Sequence, residues 1–316
     1  MRRDYFIRFD RNVKAYLLVF GFAMSGSSFF AGLAFSQQSK SNEQNAQPQL
    51  IWPEFAPGET VKSLGEQLPT KETDVPTITR IEKIRTPSLD LFIPSSPNGT
   101  GILILPGGGF GKVVPDLEGS EAAVWLNHLG IAAFVLRYRT NESKPTDEPS
   151  YLRPLQDAER AVRWVRSKAD TWKLDANRIG VLGFSAGGQV ASILHTASKA
   201  SYEPIDQIDV LSFRPDFSLL VYPWNVWDVK NESLMPELQF SKNLPPAFIV
   251  HTSDDRSSAV GAAMIYAGLK KHEVPAELHI YENGGHGYGT RARPDSNIGT
   301  WTERATDWLV SRKLAK

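Results

Sequence analysis

Residues 179–192 read IGVLGFSAGGQVAS. An apolar, strand-like run ends in the pattern Gly-x-Ser-x-Gly, and a helix-like segment begins directly after it. This is the sequence form of a nucleophile elbow, a strand-to-helix turn that holds a serine in strained backbone geometry. Gly183 and Gly187 flank the turn because a Cβ atom at either position would collide with a neighbouring strand or helix. The segment predicts that Ser185 is a nucleophile; taken alone, the five residues can also be interpreted as a glycine-rich βα turn.

Strand-like and helix-like segments alternate on both sides of this turn. Short apolar runs predict strands at 77–85, 89–93, 101–105, 131–137, 178–182, 217–222, 247–251 and 276–281. Helical spacing of apolar residues predicts helices at 117–129, 152–169, 186–196, 258–271 and 300–313. Such alternation predicts an α/β fold with a mostly parallel central sheet and helices on both faces. On helix 152–169 we expect Arg163 and Arg166 to be solvated.

The N-terminal segment, residues 1–36, is typical of a secretory signal peptide. Basic residues between Arg2 and Lys14 precede an apolar stretch from Ala15 to Phe35, which ends in small residues at the spacing that signal peptidase prefers. We therefore predict cleavage near Ser36 and a secreted or periplasmic location. The alternative is an uncleaved membrane anchor, which the glycines and serines inside the apolar stretch disfavour.

The segment that follows, residues 37–75, is rich in Gln, Ser, Asn, Pro and Glu and shows little periodicity. It is predicted to be a linker and an irregular arm on the surface of the domain. Trp52 and Phe55 are unusual in such a segment, and we expect them to dock the arm; lining a substrate cleft is the alternative. Residues 76–316 are predicted to form the catalytic domain.

Composition excludes several classes of function. Lysine and arginine total 35, as do aspartate and glutamate, so no overall field attracts nucleic acid or an anionic membrane. The chain contains no cysteine, which excludes a disulfide framework, a thiolate metal site and a cysteine nucleophile. There is no His-Glu-x-x-His motif and the acidic residues are scattered, so no metal site and no cofactor are predicted.

A base and an acid for Ser185 are expected after later strands. His286 lies in the glycine-rich loop 282–289, directly after the predicted strand 276–281, and the pKa of an imidazole suits a general base. The acid is expected between the serine and the histidine in the chain, after a strand. Asp254 and Asp255 both follow the strand at 247–251, and their spacing does not separate them.

The oxyanion donors are expected in residues 105–111, which read LPGGGFG and follow an apolar strand. The backbone N–H groups of Gly108 and Gly109 can converge on a developing negative charge, and the N–H of Ala186 is the expected further donor. A phosphate-binding loop is the competing interpretation, but the glycine and lysine spacing of the known phosphate motifs is absent. Trp224 and Trp227, with Tyr222, lie after the apolar strand that begins at Phe217. These aromatic side chains can stack on a sugar or acyl group or serve packing alone, and both interpretations stay open.

In order and spacing these segments resemble the α/β-hydrolase superfamily. The likeness is greatest to its bacterial secreted acetyl-xylan-esterase-like and hormone-sensitive-lipase-like branch of small esterases, also called BD-FAE-like. It extends roughly from residue 89 to the C-terminus and rests on residues 105–110, 175–189, 250–255 and 284–287.

The resemblance implies Ser185 as the nucleophile and His286 as the base, and it favours Asp255 over Asp254 as the acid. Two positions depart from the pattern. Pro106 stands where lipase-type relatives have histidine, which suggests the carbohydrate-esterase side, and Gln189 stands where relatives often have histidine.

These observations predict a secreted serine esterase that removes short acyl groups, above all acetyl, from a carbohydrate such as xylan. The expected partner is a small-molecule or polysaccharide ester, without nucleic acid and without stable membrane insertion after signal cleavage. The alternatives within enzymes are a general carboxylesterase or lipase and an α/β-hydrolase peptidase. Such peptidases usually carry a large N-terminal propeller, for which residues 37–75 are too few. A non-catalytic carbohydrate-binding protein of the same fold is the alternative of another class.

Overall fold

The computed structural model describes residues 47–316, so the predicted signal peptide lies outside the described residues. The strands of this part of the chain are β1 (Gln49–Leu50), β2 (Leu64–Gln67), β3 (Ile81–Ile84), β4 (Ser88–Phe92), β5 (Gly101–Leu105), β6 (Ala132–Arg137), β7 (Ile179–Phe184), β8 (Ser218–Val221), β9 (Trp227–Asp228), β10 (Ser233–Leu234), β11 (Ala247–Thr252) and β12 (Ala276–Tyr281). Its α-helices are α1 (Glu121–His128), α2 (Leu152–Ser167), α3 (Ser185–Thr196), α4 (Val260–Lys271) and α5 (Trp301–Ser311). None of the helices in residues 47–316 combines the length and the apolar character needed to cross a membrane.

Eight strands form the central sheet, in the order β1-β4-β6-β5-β7-β8-β11-β12. From β6 to β12 every neighbouring pair is parallel, whereas β4 is antiparallel to β6 and β1 is antiparallel to β4. Strands β5, β7, β8 and β11 are buried along their whole length. Continuous burial is characteristic of parallel strands that are covered on both faces. The predicted mostly parallel sheet is confirmed.

Helices cover both faces of the sheet, as predicted. Along β5, Leu103 and Leu105 belong to a core cluster with residues of α2, α3 and α4, whereas Ile102 and Ile104 belong to a second cluster with residues of α1 and α5. The alternation follows from the two-residue period of a strand, which turns successive side chains to opposite faces. The helix expected at 117–129 begins differently, because a π-helical turn at Asp116–Ser120 precedes α1.

The carboxyl ends of the parallel strands lie close to one another. Leu105 at the end of β5 is in register with Gly183, and Phe184 at the end of β7 is in register with Val221. Thr252 at the end of β11 pairs with Tyr281 at the end of β12. The loops after β5, β7, β8, β11 and β12 therefore emerge at one edge of the sheet, where ligands bind in open α/β sheets.

The described part of the N-terminal arm adds to the domain. Its strand β1 pairs with β4 at the edge of the central sheet. Trp52 is buried and its Nε1–H donates a hydrogen bond of 3.0 Å to Asp157 Oδ1 of α2, whereas Phe55 is exposed. Trp52 also packs edge-to-face on Tyr202, with 4.9 Å between ring centroids. Trp52 thus contributes packing that joins the arm to α2.

The expectation that Arg163 and Arg166 are solvated is wrong. Arg163 is 6% exposed, and its Nη1–H donates to the Tyr202 hydroxyl at 2.7 Å. The Arg166 side chain is 8% exposed and forms an ion pair of 3.1 Å with Asp216. Helical periodicity gives the face on which a residue lies, but it does not reveal acceptors that lie 39 and 50 residues further along the chain.

Candidate active site

The elbow at the end of β7 holds Ser185 in a strained backbone conformation. Ser185 is the first residue of α3 and has φ = +52°, a left-handed conformation that is uncommon for residues other than glycine. A Cβ atom on Gly183 would meet the carbonyl oxygen of Gly187, and one on Gly187 would meet that of Leu105. Both glycines are therefore required by close backbone approaches, and the turn raises the serine hydroxyl above the end of the sheet.

Ser185, His286 and Asp255 lie in one hydrogen-bonded row. The Ser185 Oγ lies 2.7 Å from His286 Nε2, and His286 Nδ1 lies 2.6 Å from Asp255 Oδ2. The Asp255 side chain is fully buried and that of His286 is 14% exposed. With Nδ1–H donating to the carboxylate, Nε2 is left to accept the proton of the serine hydroxyl. This row can generate a serine nucleophile.

The structure places Asp255, and not Asp254, beside His286. The carboxylate of Asp254 is on the surface and accepts hydrogen bonds from the backbone N–H groups of Gly285 and Gly284, at 2.9 and 3.2 Å. These hydrogen bonds, with that of Gly285 the stronger influence, lower the pKa of Asp254 below its usual value. Asp254 therefore holds the loop that carries His286.

The glycine loop after β5 lies against Ser185. A Cβ atom on Gly107 would lie 2.7 Å from the Cβ atom of Ser185. Gly108 and Gly109 have φ = +130° and +66°, values that favour glycine. Within residues 47–316 the N–H groups of these two glycines donate to no other group, whereas the Gly107 N–H donates to Glu118. The N–H of Ala186 belongs to the first turn of α3, where amides have no partner within the helix.

Glu118, a functional candidate of this site, was not predicted from the sequence, and Tyr222 was considered only for stacking on a substrate or for packing. Glu118 lies in the π-helical turn and is 4% exposed; its Oε1 accepts a 2.8 Å hydrogen bond from the Tyr222 hydroxyl. The Tyr222 ring packs edge-to-face on His286 at 5.0 Å between centroids. Burial raises the pKa values of both Glu118 and Tyr222. Residues 116–121 read DLEGSE, so the sequence carries no signal that distinguishes Glu118 from the neighbouring acids.

The two tryptophans after β8 have different surroundings. Trp224 is half-buried, and its ring lies 5.2 Å from that of His286. The guanidinium of Arg256 lies 4.9 Å from the Trp224 ring on the exposed side of the site. Trp227 instead lies close to Gly261 of α4, where a Cβ atom would be 3.1 Å from that of the tryptophan. Of the two residues, Trp224 is therefore the one that borders the site.

Among the described residues, no group of three or more histidine, aspartate or glutamate side chains is placed to hold a metal ion. The chemistry that the described arrangement offers is proton transfer through His286, with amides that can stabilise an anion beside Ser185.

The sheet order and the serine elbow at a strand end define the class of α/β hydrolases. Comparison with known families agrees: the model of the prolyl oligopeptidase family matches residues 152–314, and that of the BD-FAE family matches residues 89–212. The chain belongs to the prolyl oligopeptidase family of α/β hydrolases.

Several relatives are esterases or xylan-degrading enzymes by name. An acetylxylan esterase of Xylanibacter ruminicola is 32% identical over 234 residues, which are 66% of this chain and 44% of that protein. Endo-1,4-beta-xylanase B of Butyrivibrio fibrisolvens is 29% identical over 59% of this chain and 32% of its own length. The chain thus spans less than half the length of these curated relatives.

Solved structures resemble the chain over most of its length. The acetyl ester-xyloside bifunctional hydrolase of Caldicellulosiruptor lactoaceticus is 31% identical, with a TM-score of 0.66 over 85% of this chain and 97% of that one. The α/β hydrolase MGS-M1, from a deep-sea metagenome library, is 25% identical with a TM-score of 0.57.

Proposed function

We propose that this chain is an exported serine esterase that removes short acyl groups, above all acetyl, from esters of carbohydrates such as xylan. The observation that carries the proposal is the hydrogen-bonded row from Ser185 through His286 to Asp255. The similarity to an acetylxylan esterase and to an acetyl ester-xyloside bifunctional hydrolase supports the choice of substrate.

In the proposed first half-reaction, the Ser185 Oγ attacks the acyl carbonyl carbon while His286 Nε2 takes the hydroxyl proton. The negative charge that develops on the carbonyl oxygen is met by the N–H groups of Gly108, Gly109 and Ala186. Asp255 stabilises the imidazolium and holds the ring orientation. The tetrahedral intermediate then collapses, the bond to the alcohol oxygen breaks, and His286 gives its proton to that oxygen.

In the second half-reaction, water replaces the alcohol. His286 Nε2 accepts a proton from this water as its oxygen attacks the acyl group on Ser185, and the same amides hold the oxyanion. Cleavage of the acyl–serine bond returns the proton to Ser185 and releases the carboxylic acid. The ring of Trp224, which lies beside His286, offers a face for the sugar of the leaving alcohol.

The location is part of the proposal. A basic segment, an apolar stretch and small residues within positions 1–36 support export, to the outside of the cell or to the periplasm. Polymeric xylan is outside the cytoplasm, so an exported enzyme would meet the proposed substrate.

Acetate release from acetylated xylan tests the proposal. The wild-type protein is expected to release acetate and to hydrolyse p-nitrophenyl acetate faster than p-nitrophenyl esters of longer acids. Ser185→Ala is expected to lose at least about 10⁴-fold in kcat in a folded protein, because the nucleophile is removed. Ser192→Ala is the control, since the Ser192 hydroxyl donates to the Gly188 carbonyl within α3 and should leave turnover unchanged. A preference for long acyl groups would instead indicate a general carboxylesterase or lipase.

A peptidase is the second candidate, because the matching family is described as the prolyl oligopeptidase family. Amide and ester hydrolysis use the same serine chemistry, so the geometry near Ser185 does not separate them. Xaa-Pro p-nitroanilides are the discriminating substrates. Turnover of such an anilide at a kcat/KM above that for p-nitrophenyl acetate would favour the peptidase. Failure of a fluorophosphonate to label the protein would favour a non-catalytic binding protein.

A further inference from the structure

Glu118 is a buried acid without a basic partner among the described residues. Its side chain is 4% exposed, and none of the ion pairs within residues 47–316 includes it. Its two carboxyl oxygens accept hydrogen bonds from two different parts of the site, the Gly107 N–H at 2.9 Å and the Tyr222 O–H at 2.8 Å.

The first of these hydrogen bonds acts on the glycine loop. The Gly107 backbone lies so close to Ser185 that a Cβ atom on the glycine would be 2.7 Å from that of the serine. Because Glu118 accepts the Gly107 N–H, that donor is already hydrogen-bonded within the protein. The peptide plane fixed in this way precedes Gly108 and Gly109, whose amides are the proposed oxyanion donors.

The second hydrogen bond acts on the histidine loop. The Tyr222 hydroxyl donates to Glu118 and accepts the Gly289 N–H at 3.0 Å, three positions after His286. The same tyrosine ring packs on the imidazole at 5.0 Å between centroids. A continuous chain of hydrogen bonds therefore runs from Gly107 through one carboxyl group to Gly289.

Burial at this position is energetically unfavourable for the charged form of Glu118. Taking a carboxylate out of water without a cation costs several kcal/mol, of which its hydrogen bonds return only a part. Burial accordingly raises the pKa of Glu118. An apolar side chain would fill the space at lower cost, but it could not accept from both loops. The presence of Glu118 is therefore better explained by its hydrogen bonds to the two loops than by packing.

We propose that Glu118 is a positioning residue that fixes the oxyanion loop and the histidine loop relative to each other. This inference rests on the proposed esterase function, since the two loops matter together only if Ser185 is acylated. Glu118 does not touch the substrate; it acts through Gly107 and through Tyr222.

The test compares Glu118→Ala, Glu118→Gln and Tyr222→Phe by kcat and KM for p-nitrophenyl acetate. Glu118→Ala is expected to lower kcat by about 100-fold, the effect of losing one oxyanion donor, with KM changed by less than about threefold. The kcat of Glu118→Gln is expected to be about tenfold higher than that of Glu118→Ala, because the amide oxygen can still accept the Gly107 N–H while its NH₂ group faces Tyr222. Tyr222→Phe removes only the hydroxyl and is expected to lower kcat by about tenfold.

Glu159→Ala and Glu159→Gln are the matched controls. Glu159 is also a fully buried acid, but it lies on α2 and accepts hydrogen bonds from Ser201, away from the two loops. These variants should change stability while the kcat of the folded fraction stays at the wild-type value. Thermal unfolding of each variant gives the folded fraction by which kcat is corrected.

Three results would overturn the inference. The first is a folded Glu118→Ala with wild-type kcat, and the second is a loss of kcat in Glu118→Ala that equals the loss in Glu159→Ala. The third is a kcat of Glu118→Gln that is no higher than that of Glu118→Ala. If Glu118→Ala does not fold, the inference is tested by the kcat values of Tyr222→Phe and Glu118→Gln. Wild-type kcat in both of these variants would contradict the inference. Failure of the esterase proposal is recognised separately, because the wild-type protein would then be inactive or Ser185→Ala would remain active.

Discussion

At the scale of single residues, two neighbouring acids have different partners. Asp255 is buried against His286 Nδ1, whereas Asp254 is on the surface and accepts from the amides of Gly284 and Gly285. Sequence spacing left the two as alternatives because they are adjacent in the same turn. The difference arises from the turn after β11, which directs the carboxylate of Asp254 outward and that of Asp255 inward.

Replacing each acid by its amide separates the two roles. Asp255→Asn is expected to lower kcat by about 10³- to 10⁴-fold, because an amide supports the wrong imidazole tautomer and does not stabilise the imidazolium. Asp254→Asn keeps an acceptor for one glycine amide and is expected to change kcat by less than about threefold. Steady-state kinetics with p-nitrophenyl acetate measure both, with circular dichroism as the check on folding. Equal losses in the two variants would contradict the assignment of Asp255.

Among the secondary-structure elements, the residues of the candidate site lie at the ends of strands and the starts of helices. The elbow serine begins α3, the histidine loop follows β12, and the π-helical turn before α1 carries Glu118 inward. Helix α2 carries a different set of buried charges. Its Glu159 accepts hydrogen bonds from the backbone N–H and the hydroxyl of Ser201, and burial raises the pKa of Glu159 to about 7.

The raised pKa of Glu159 makes the stability of the domain depend on pH. A carboxyl group that binds its proton more tightly when folded contributes stability that is fully present below its ordinary value of 4.5 and is lost as the pH rises through about 7. The Glu159→Gln variant has no such titration. Its free energy of unfolding relative to wild type is therefore expected to rise by as much as about 3 kcal/mol between pH 4.5 and pH 8.

Urea unfolding of both proteins across this range provides the measurement. Because all other titrating groups are shared, subtracting the two curves isolates Glu159. A difference that does not change with pH, or one that falls as the pH rises, would show that folding does not raise the pKa of Glu159.

At the scale of the whole molecule, the fold was predictable and parts of the site were not. The sheet and its helices could be located because strands buried on both faces are continuously apolar, and helices that pack on them repeat apolar residues at helical spacing. Ser185 and His286 could be named from glycine-flanked loops at strand ends. Glu118 could not, since one of its partners, Tyr222, lies 104 residues away. The burial of Arg163 could not be predicted for the same reason, since its acceptor Tyr202 lies 39 residues away.

The proposed reaction requires an acyl group carried by Ser185. Its most direct test is peptide mass mapping of protein quenched in acid during turnover of p-nitrophenyl acetate. We expect an acetyl group on the peptide that contains Ser185, and none on that peptide in Ser185→Ala. Acetyl on a different residue during turnover, or wild-type turnover by Ser185→Ala, would contradict it.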